Sequence, residues 1–264
     1  MITTKQLDID AAKTEKLVTE FIKNSIKQAH ITRSVVAVSG GIDSAVALAA
    51  TVKALGTKNV TALTLPERDI TPQSDVDDVM HLCEGVGVTC EHIDITPMLH
   101  VIREKIPQFD ESNRVAYGNM KARLRMLLTY YSANLQGAMV MGTSNKTELY
   151  LGYYTKYGDG GVDIMPFADL YKCQIRALGR HLGVPKSITE KPASARLWIG
   201  QDTEKDLGLP YDSLDLIVYT HLKGWDNAKI ATETGVPKKQ VDDIVARISA
   251  NEHKRTSPAI LRLS

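Results

Sequence analysis

The sequence has 264 residues, of which 43% are hydrophobic and 24% charged, so it carries enough apolar side chains for one large domain, with or without a helical appendage. Its formal net charge of +1 gives no electrostatic reason to expect nucleic acid or an anionic membrane surface as a partner. It has no signal-peptide pattern, no apolar run long enough to span a bilayer, and three cysteines that make no disulfide framework, so we expect a cytoplasmic protein.

The first half of the sequence alternates between predicted strands and predicted helices. Apolar residues at helical spacing predict an amphipathic helix over residues 10–29. Apolar, often β-branched runs predict strands at 35–38, 59–65, 88–94 and 138–141. Strands that alternate with helices favour right-handed crossovers and a parallel sheet. We therefore predict an α/β fold, in which a Rossmann-like parallel sheet is flanked by helices and followed by a helical C-terminal portion.

The turn after the first predicted strand reads Ser39-Gly40-Gly41-Ile42-Asp43-Ser44. Two adjacent glycines let the backbone approach a ligand, and the first N–H groups of the following helix favour phosphate. Asp43 would repel a phosphate unless a cation lay between them, so we interpret it as a magnesium ligand. An ordinary strand–helix turn with an aspartate N-cap is the alternative. The sequence contains neither a lysine-bearing phosphate loop nor a G-x-G-x-x-G motif after a strand.

Other candidate residues follow later strands, where ligands of parallel sheets collect. Arg68, after the second predicted strand, is placed to stack on a purine or to lie in solvent, and the sequence favours neither. Glu148 ends a second loop, 142–148, after the fourth predicted strand. It is interpreted either as a helix N-terminal carboxylate or as a second magnesium ligand beside Asp43.

A long helix is predicted over residues 113–136. Its apolar residues at helical spacing are expected to form one packed stripe, made of Ala116, Met120, Leu124, Leu127 and Tyr131. Asn119 and Arg123 lie one turn apart on a neighbouring face.

The segment 152–166 has three glycines within four residues, flanked by Lys156 and Asp163. This composition predicts a mobile loop that closes over a ligand. The helix predicted over 169–182 carries Lys172 in its first turn. Since a cation there opposes the helix dipole, we expect an anion nearby.

The C-terminal third is predicted to be helical. Residues 229–241 resemble a DNA-binding helix-turn-helix, but Asp242 and Asp243 would face phosphate, so a packed helical hairpin is the favoured interpretation. The basic cluster His253-Lys254-Arg255 is typical of a solvated tail.

Taken together, these motifs resemble the NAD synthetases, specifically the ammonia-dependent ones, within the N-type ATP pyrophosphatase superfamily. The resemblance runs from the glycine turn almost to the C-terminus. It rests on Ser39–Ser44, Gly118–Met126, Gly142–Glu148, Thr155–Asp163, Lys172, Ser194-Ala195 and His253-Lys254. The Lys-Tyr-Gly-Asp-Gly-Gly run at 156–161 distinguishes this family within the superfamily.

The resemblance implies an activity and a set of site residues. Members adenylate the nicotinate carboxylate of deamido-NAD with ATP, and ammonia then displaces AMP to give NAD. ATP would be held by Ala37, Val38, Ser39, Gly40, Gly41, Ile42, Asp43, Ser44, Thr143, Lys172 and Ser194. Deamido-NAD would be held by Arg123, Lys156, Asp163, His253 and Lys254. Asp43 and Glu148 would bind Mg²⁺, and Asp43 and Lys172 would support catalysis.

The resemblance also concerns the source of ammonia and the assembly. Glutamine-dependent members carry an additional amidase domain, for which a predicted helix over residues 10–29 leaves no room. We therefore expect a single synthetase domain over 1–264 that uses free ammonia or a separate ammonia donor. Family members are homodimers. The remaining alternatives are another ATP pyrophosphatase, such as a tRNA thiolase or a GMP synthetase subunit, and a non-enzymatic nucleotide-binding module.

Overall fold

A four-stranded parallel sheet lies at the centre of the computed structural model, which describes residues 1–263. Its strands are β1 (Arg33–Ala37), β2 (Val60–Thr64), β3 (Cys90–His92) and β4 (Ala138–Val140). They are arranged in the order β3-β2-β1-β4, and all three pairings are parallel. Val35 of β1 lies opposite Thr61 on one side and Val140 on the other. The predicted α/β fold with a parallel sheet is confirmed.

Helices account for most of the other regular structure. Two short 3₁₀ helices span Thr4–Leu7 and Thr57–Asn59. The α-helices are α1 (Ala11–Gln28), α2 (Ile42–Leu55), α3 (Gln73–Val86), α4 (Thr96–Lys105), α5 (Arg114–Gln136), α6 (Lys146–Leu151), α7 (Lys172–His181), α8 (Lys186–Thr189), α9 (Thr203–Leu207), α10 (Tyr211–Leu222), α11 (Asn227–Thr234), α12 (Lys238–Ala250) and α13 (Glu252–Arg255). No helix within residues 1–263 is long and apolar enough to cross a membrane.

The helices form layers on both faces of the sheet because successive strand residues point to opposite sides. Val36 packs in a cluster with α1, α2 and α7, whereas Val35 packs in another cluster with α4 and α5. A third apolar cluster joins α10, α11 and α12, where Ile230 and Val241 are fully buried. The predicted helical C-terminal portion is therefore present as a packed unit.

The strand order places a topological switch point at β1. The chain moves from β1 to β2 and β3 on one side, and then returns to place β4 on the other side of β1. In open parallel sheets a crevice forms outside the carboxyl ends of strands at such a point. The loops that follow β1 and β4 therefore meet there.

The glycine turn after β1 requires a glycine at one of its two positions. Gly40 has a φ of +82°, and a Cβ atom there would lie 2.7 Å from the carbonyl oxygen of Asp75 in α3. Gly41 is the N-cap of α2 with a φ of −90°, and a Cβ atom there would meet only the Ser39 hydroxyl, at 3.5 Å. The close approach of α3 thus dictates the first glycine of the pair.

Several local expectations were wrong. On α5, Leu127 and Tyr131 are 58% and 63% exposed, so the packed face of this helix is narrower than its apolar pattern predicts. The basic cluster is not a solvated tail, since residues 252–255 form α13, in which Lys254 and Arg255 donate to backbone carbonyls. The segment after Trp198, whose polar composition predicts irregular structure, contains the short helix α9, and Asp202 caps the N-terminus of this helix.

The segment that resembles a helix-turn-helix forms a packed hairpin of α11 and α12. Val241, Ile244 and Ile248 of α12 are buried against the C-terminal cluster. Asp242 accepts hydrogen bonds from Asn227 of α11 and from Lys238. The acidic side chain therefore holds the two helices together.

We expect Gly40→Ala and Gly41→Ala to differ in stability. Alanine at position 40 meets the Asp75 carbonyl in a left-handed conformation, which costs about 1–3 kcal/mol of unfolding free energy. Alanine at position 41 meets no such contact and serves as the matched control. Urea unfolding of both variants measures the difference, and equal stabilities would contradict the account of the turn.

Candidate active site

One cavity of about 480 Å³ lies at the switch point. It gathers every residue that the resemblance assigns to ATP or magnesium. These are Ala37, Val38, Ser39, Gly40, Gly41, Ile42, Asp43, Ser44, Thr143, Glu148, Lys172 and Ser194. Residues more than 150 positions apart in the sequence thus line one space.

The glycine turn presents free backbone donors to this cavity. The first N–H groups of α2 have no partner within the helix, and they belong to residues that line the cavity. The Ser44 hydroxyl donates to the Gly41 carbonyl at 3.0 Å and accepts from the Ser39 N–H at 3.1 Å. These bonds fix the turn in a shape suited to a phosphate group.

Lys172 lies between the two predicted metal ligands. Its ammonium group contacts a carboxylate oxygen of Asp43, and it lies 3.1 Å from Glu148 Oε1. The side chain of Lys172 is only 3% exposed. The phenol of Tyr211 donates to Glu148 Oε1 at 3.1 Å, and the Tyr211 ring centroid lies 4.7 Å from the ammonium group.

Asn145 joins the same carboxylates, although the sequence analysis did not single it out. Its amide donates to Asp43 Oδ1 at 2.7 Å, and its carbonyl oxygen accepts from the Glu148 N–H at 3.0 Å. Asn145 is the N-cap of α6 and is fully buried. An asparagine three residues before a glutamate at a helix start is a capping-box signal, which the sequence did contain.

The charges of this cluster perturb one another strongly. Burial alone would lower the pKa of Lys172, but Asp43 and Glu148 outweigh it and raise that pKa above its ordinary value. Burial and the neighbouring carboxylate of Asp43 raise the pKa of Glu148 to about 7, although Lys172 acts in the opposite direction. The cluster therefore holds two carboxylates against a single ammonium.

This donor set fits Mg²⁺. Magnesium in nucleotide enzymes is typically held by one or two carboxylates together with phosphate oxygens and waters. Asp43 and Glu148 supply two carboxylates that already share one cation, and both line the cavity. Within residues 1–263 no group of three His, Cys, Asp or Glu side chains is placed to hold a metal ion, so the ion would take its remaining ligands from phosphate oxygens and waters.

A second ionic network, which the sequence analysis missed, supports the glycine turn. Lys191 contacts Asp75 at 2.7 Å and Asp78 at 2.5 Å, and its ammonium group lies 3.4 Å from the Gly40 carbonyl. Arg196 contacts the other oxygen of Asp75 at 2.8 Å. The network fastens the loop 191–196 to α3, and this loop carries Ser194 into the cavity wall.

Two cations of α5 also escaped the sequence analysis. Lys121 is buried, lies 2.7 Å from Glu67 and donates to the Leu197 carbonyl at 2.9 Å. Arg125 lines the cavity, donates to the Leu65 carbonyl at 2.9 Å and forms no ion pair within residues 1–263. Nothing in the helical pattern distinguishes these cations from exposed ones, because their partners lie on other elements.

Four of the five residues assigned to deamido-NAD form a chain of contacts beside the cavity. Arg123 donates to the Lys156 carbonyl at 3.2 Å, and Lys156 donates to the His253 carbonyl at 2.5 Å. Lys254 lines the cavity and donates to the carbonyls of Gly152 and Tyr154. Arg123, Lys156 and His253 are not among the cavity-lining residues.

Asp163, the fifth residue, lies apart from this chain and outside the cavity lining. Its carboxylate accepts from the Val140 N–H at 2.7 Å and from the Tyr130 hydroxyl at 3.0 Å. Burial and the Asp163 carboxylate raise the pKa of Tyr130 to about 12. In this structure Asp163 fastens the loop to the end of β4.

The glycine-rich loop is a compact turn rather than an open one. Gly158 and Gly160 both donate to the Thr155 carbonyl. A Cβ atom would lie 2.8 Å from Thr155 at position 158 and 2.6 Å from the Tyr154 ring at position 160. Close packing therefore explains these glycines, whereas the sequence suggested mobility.

Arg68 lies outside the cavity lining. Its guanidinium contacts Asp94 at 2.5 Å, and its side chain is 75% exposed. This geometry favours the solvent-exposed interpretation over stacking on a purine.

The raised pKa of Glu148 predicts a pH-dependent stability without metal. The folded chain keeps the Glu148 proton up to about pH 7, whereas the unfolded chain loses it near the ordinary value of 4.5. The stability from this proton is full below pH 4.5 and is lost as pH rises through about 7. In the presence of a chelator, the unfolding free energy of wild type should exceed that of Glu148→Gln by less and less as the pH rises through this window.

Asp242→Asn is the control for this measurement. Hydrogen bonds from Lys238 and Asn227 lower the pKa of Asp242 below 3.8, so its effect should be constant across the same window. A constant difference for Glu148→Gln as well would contradict the electrostatic account of the site.

Comparison with known proteins identifies the family. The NAD synthase family model matches residues 14–258. The chain is 42% identical over 255 residues to the NH(3)-dependent NAD(+) synthetase of Methanococcoides burtonii, with 97% of each chain covered. Among solved structures, the NMN synthetase from Francisella tularensis has a TM-score of 0.85 at 32% identity, covering 97% of this chain and 100% of that one. The NH3-dependent NAD synthetase from Campylobacter jejuni has a TM-score of 0.81 at 28% identity, covering 96% and 100%. The chain therefore belongs to the NAD synthase family.

Proposed function

We propose that this chain is a C–N ligase that amidates deamido-NAD to NAD with ammonia, using ATP and releasing AMP and pyrophosphate. The observation that carries the proposal is the meeting of Asp43, Glu148 and Lys172 beside the free N-terminus of α2. The membership of the NAD synthase family supports the same reaction.

ATP would bind with its phosphates against the glycine turn. The N–H groups at the N-terminus of α2 favour negative charge, and the Ser39 hydroxyl adds a donor, while the Ser44 hydroxyl holds the turn in shape. Thr143, after β4, and Ser194, in the loop held by Lys191, line the opposite walls. These residues would orient the α-phosphate for attack.

Asp43 and Glu148 would hold Mg²⁺. When bound, the ion would neutralise phosphate charge and stabilise the pyrophosphate leaving group. Asn145 contacts both carboxylates, since its amide donates to Asp43 Oδ1 at 2.7 Å and its backbone N–H donates to Glu148 Oε2 at 3.4 Å. The geometry of the carboxylates therefore does not depend on the ligand.

Lys172 would stabilise the charge that develops during adenylation. A carboxylate that attacks a phosphate meets electrostatic repulsion, and a buried ammonium at a fixed position reduces it without solvent reorganisation. The raised pKa of Lys172 keeps this group charged. Ammonia would then attack the acyl-adenylate carbonyl and release AMP.

Deamido-NAD would bind along the cations of α5, of the glycine-rich loop and of α13. Arg123, Lys156 and Lys254 form hydrogen bonds to backbone carbonyls but no ion pairs within residues 1–263, so their charges remain available to an anion. His253 adjoins them, and Asp163 would contact the substrate from the far side of the glycine-rich loop. A dinucleotide pyrophosphate matches this positive surface.

We further propose that residues 1–264 act as one synthetase unit in the cytoplasm and use free ammonia. The free thiols of Cys83, Cys90 and Cys173 suit a reducing compartment. The NH(3)-dependent NAD(+) synthetase of Methanococcoides burtonii is covered over 97% of its length, which supports ammonia as the nitrogen source.

A homodimer is proposed through the exposed side of α5. Leu127, Tyr131 and Leu135 are spaced four residues apart and are 58%, 63% and 71% exposed. Arg123 precedes Leu127 by four residues, so this surface continues into the proposed dinucleotide site. A second copy that covers α5 would therefore border the substrate.

The dimer is tested by Leu127→Glu. A buried carboxylate at the interface should give a monomer by sedimentation, with NAD formation strongly reduced because the dinucleotide site is incomplete. Leu17→Glu is the matched control, since Leu17 on α1 is also 58% exposed. A wild-type monomer, or a Leu127→Glu dimer with full activity, would contradict the proposal.

The function is tested by incubating the chain with ATP, Mg²⁺, deamido-NAD and ammonium. We expect NAD and AMP in equal amounts, and their loss in Asp43→Ala and Lys172→Met with folding intact. Lys53→Met, which removes an exposed lysine of the same helix as Asp43, should retain activity. Full activity of Asp43→Ala, or neither product with folded wild type, would overturn the proposal.

Nicotinate mononucleotide belongs in the same assay, because a protein with a TM-score of 0.85 to this chain is described as an NMN synthetase. We expect the dinucleotide to react faster, since Arg123, Lys156 and Lys254 suit its additional phosphate. If the protein prefers the mononucleotide, the proposed C–N ligase activity stands, but its substrate is nicotinate mononucleotide rather than deamido-NAD. AMP formation without NAD would instead point to another acceptor or to a missing ammonia donor.

A further inference from the structure

The carboxylate of Asp215, on α10, is fully buried and takes no part in the reaction proposed above. Its Oδ1 atom accepts from the Thr147 hydroxyl at 2.5 Å and from the Lys172 N–H at 3.3 Å. Its Oδ2 atom accepts from the Cys173 N–H at 2.8 Å. Asp215 forms no ion pair with any Lys, Arg or His of residues 1–263.

A buried carboxylate without a cation is costly, so its partners must compensate. Burial raises the pKa of Asp215, whereas the hydrogen bonds from Thr147 and from the start of α7 act to lower it. The N-terminus of a helix also attracts negative charge. The hydrogen bonds from Thr147 and from the start of α7 therefore offset the cost of burying this carboxylate.

Asp215 caps α7 from another helix. The N-cap residue of α7 is Tyr171, whose side chain forms no capping hydrogen bond. The Gln174 side chain accepts from the Tyr171 N–H at 2.9 Å, and Asp215 accepts from the next two N–H groups, those of Lys172 and Cys173. A short polar side chain usually performs this task from within the same segment. Here the acceptor comes from α10, which makes the position of α7 dependent on another helix.

Two of the three hydrogen-bond partners of Asp215 lead to the charge cluster. Lys172 is the first residue of α7, and Thr147 directly precedes Glu148 in α6. One turn earlier on α10, Tyr211 donates to Glu148 and lies against the Lys172 ammonium. The same face of α10 therefore touches α6, α7 and the reacting groups.

We propose that Asp215, acting through Thr147 and the first N–H groups of α7, is a positioning residue that sets Lys172 and Glu148 against Asp43. The inference rests on the proposed function of Lys172. A small displacement of α7 or α6 would leave the cavity and the glycine turn in place. It would move the ammonium away from the reacting phosphate.

The test compares Thr147→Val, Thr147→Ser and Thr220→Val. Thr147→Val removes the hydroxyl, and Thr147→Ser restores it. Thr220→Val is the matched control, because Thr220 is a fully buried threonine of α10 whose hydroxyl bonds only to its own helix. Asp215→Asn is the stronger variant, since its amide group places a donor against Thr147 or Cys173.

We expect Thr147→Val to reduce kcat by about tenfold to 100-fold, the order of effect of a 1 Å misplacement. The KM for ATP should change less than kcat, because the glycine turn, which supplies most of the groups proposed to hold the phosphates, is unchanged. Thr147→Ser should recover kcat. Hydrogen exchange of the Lys172 and Cys173 amides should accelerate in Thr147→Val and in Asp215→Asn, but not in Thr220→Val.

Two outcomes would overturn the inference. One is a Thr147→Val enzyme that loses stability as Thr220→Val does while kcat stays unchanged. The other is unchanged exchange at Lys172 and Cys173 in both Thr147→Val and Asp215→Asn. If wild type forms no NAD, the proposed function fails, and hydrogen exchange still decides whether Asp215 holds the start of α7.

Discussion

The placement of one buried ammonium between two carboxylates is the constraint on which the site depends. Lys172 is 3% exposed, and such a charge is stable inside a protein only when its partners are held close. Asp43 comes from the start of α2, Glu148 from α6 and Lys172 from α7. The switch point of the sheet brings the first two together, since they follow the neighbouring strands β1 and β4. The third must be brought in by helix packing.

Much of this arrangement was predictable because it depends on patterns among residues that are close together in the sequence. Alternating apolar runs and helical spacing predicted the parallel sheet, and the run Ser39–Ser44 predicted a tight glycine turn at its edge. That this turn binds phosphate stays a prediction. The rule that ligands gather at the carboxyl ends of parallel strands then placed Glu148 near Asp43, and the structure brings both into contact with Lys172. The expectation of an anion near Lys172, which came from its unfavourable position at a helix N-terminus, was also met. The anions are the carboxylates of Asp43 and Glu148.

The sequence could not reveal pairings between distant elements. Lys191 with Asp75, Lys121 with Glu67 and Asp215 with Thr147 are separated by 116, 54 and 68 positions, and each partner has an unremarkable local context. The wrong expectations have the same origin. Leu127 and Tyr131 share the apolar pattern of α5 but face away from the sheet, and α13 is ordered by the carbonyls of residues 149–154 rather than by its own charges.

The site holds its charges in two different ways, and this division suits two anionic substrates. Around Asp43 the buried ammonium of Lys172 is paired with two carboxylates, so their positions are fixed before ATP binds, and magnesium would join an existing donor set. By contrast, backbone carbonyls orient Arg123 of α5, Lys156 of the glycine-rich loop and Lys254 of α13, and they bind the N–H groups of these side chains without cancelling their charge. Preorganised pairs favour the chemical step, whereas uncancelled cations favour capture of a phosphate-bearing partner. The second arrangement adjoins the exposed side of α5, so a neighbouring copy of the chain would shield those cations from water and strengthen their attraction for the dinucleotide.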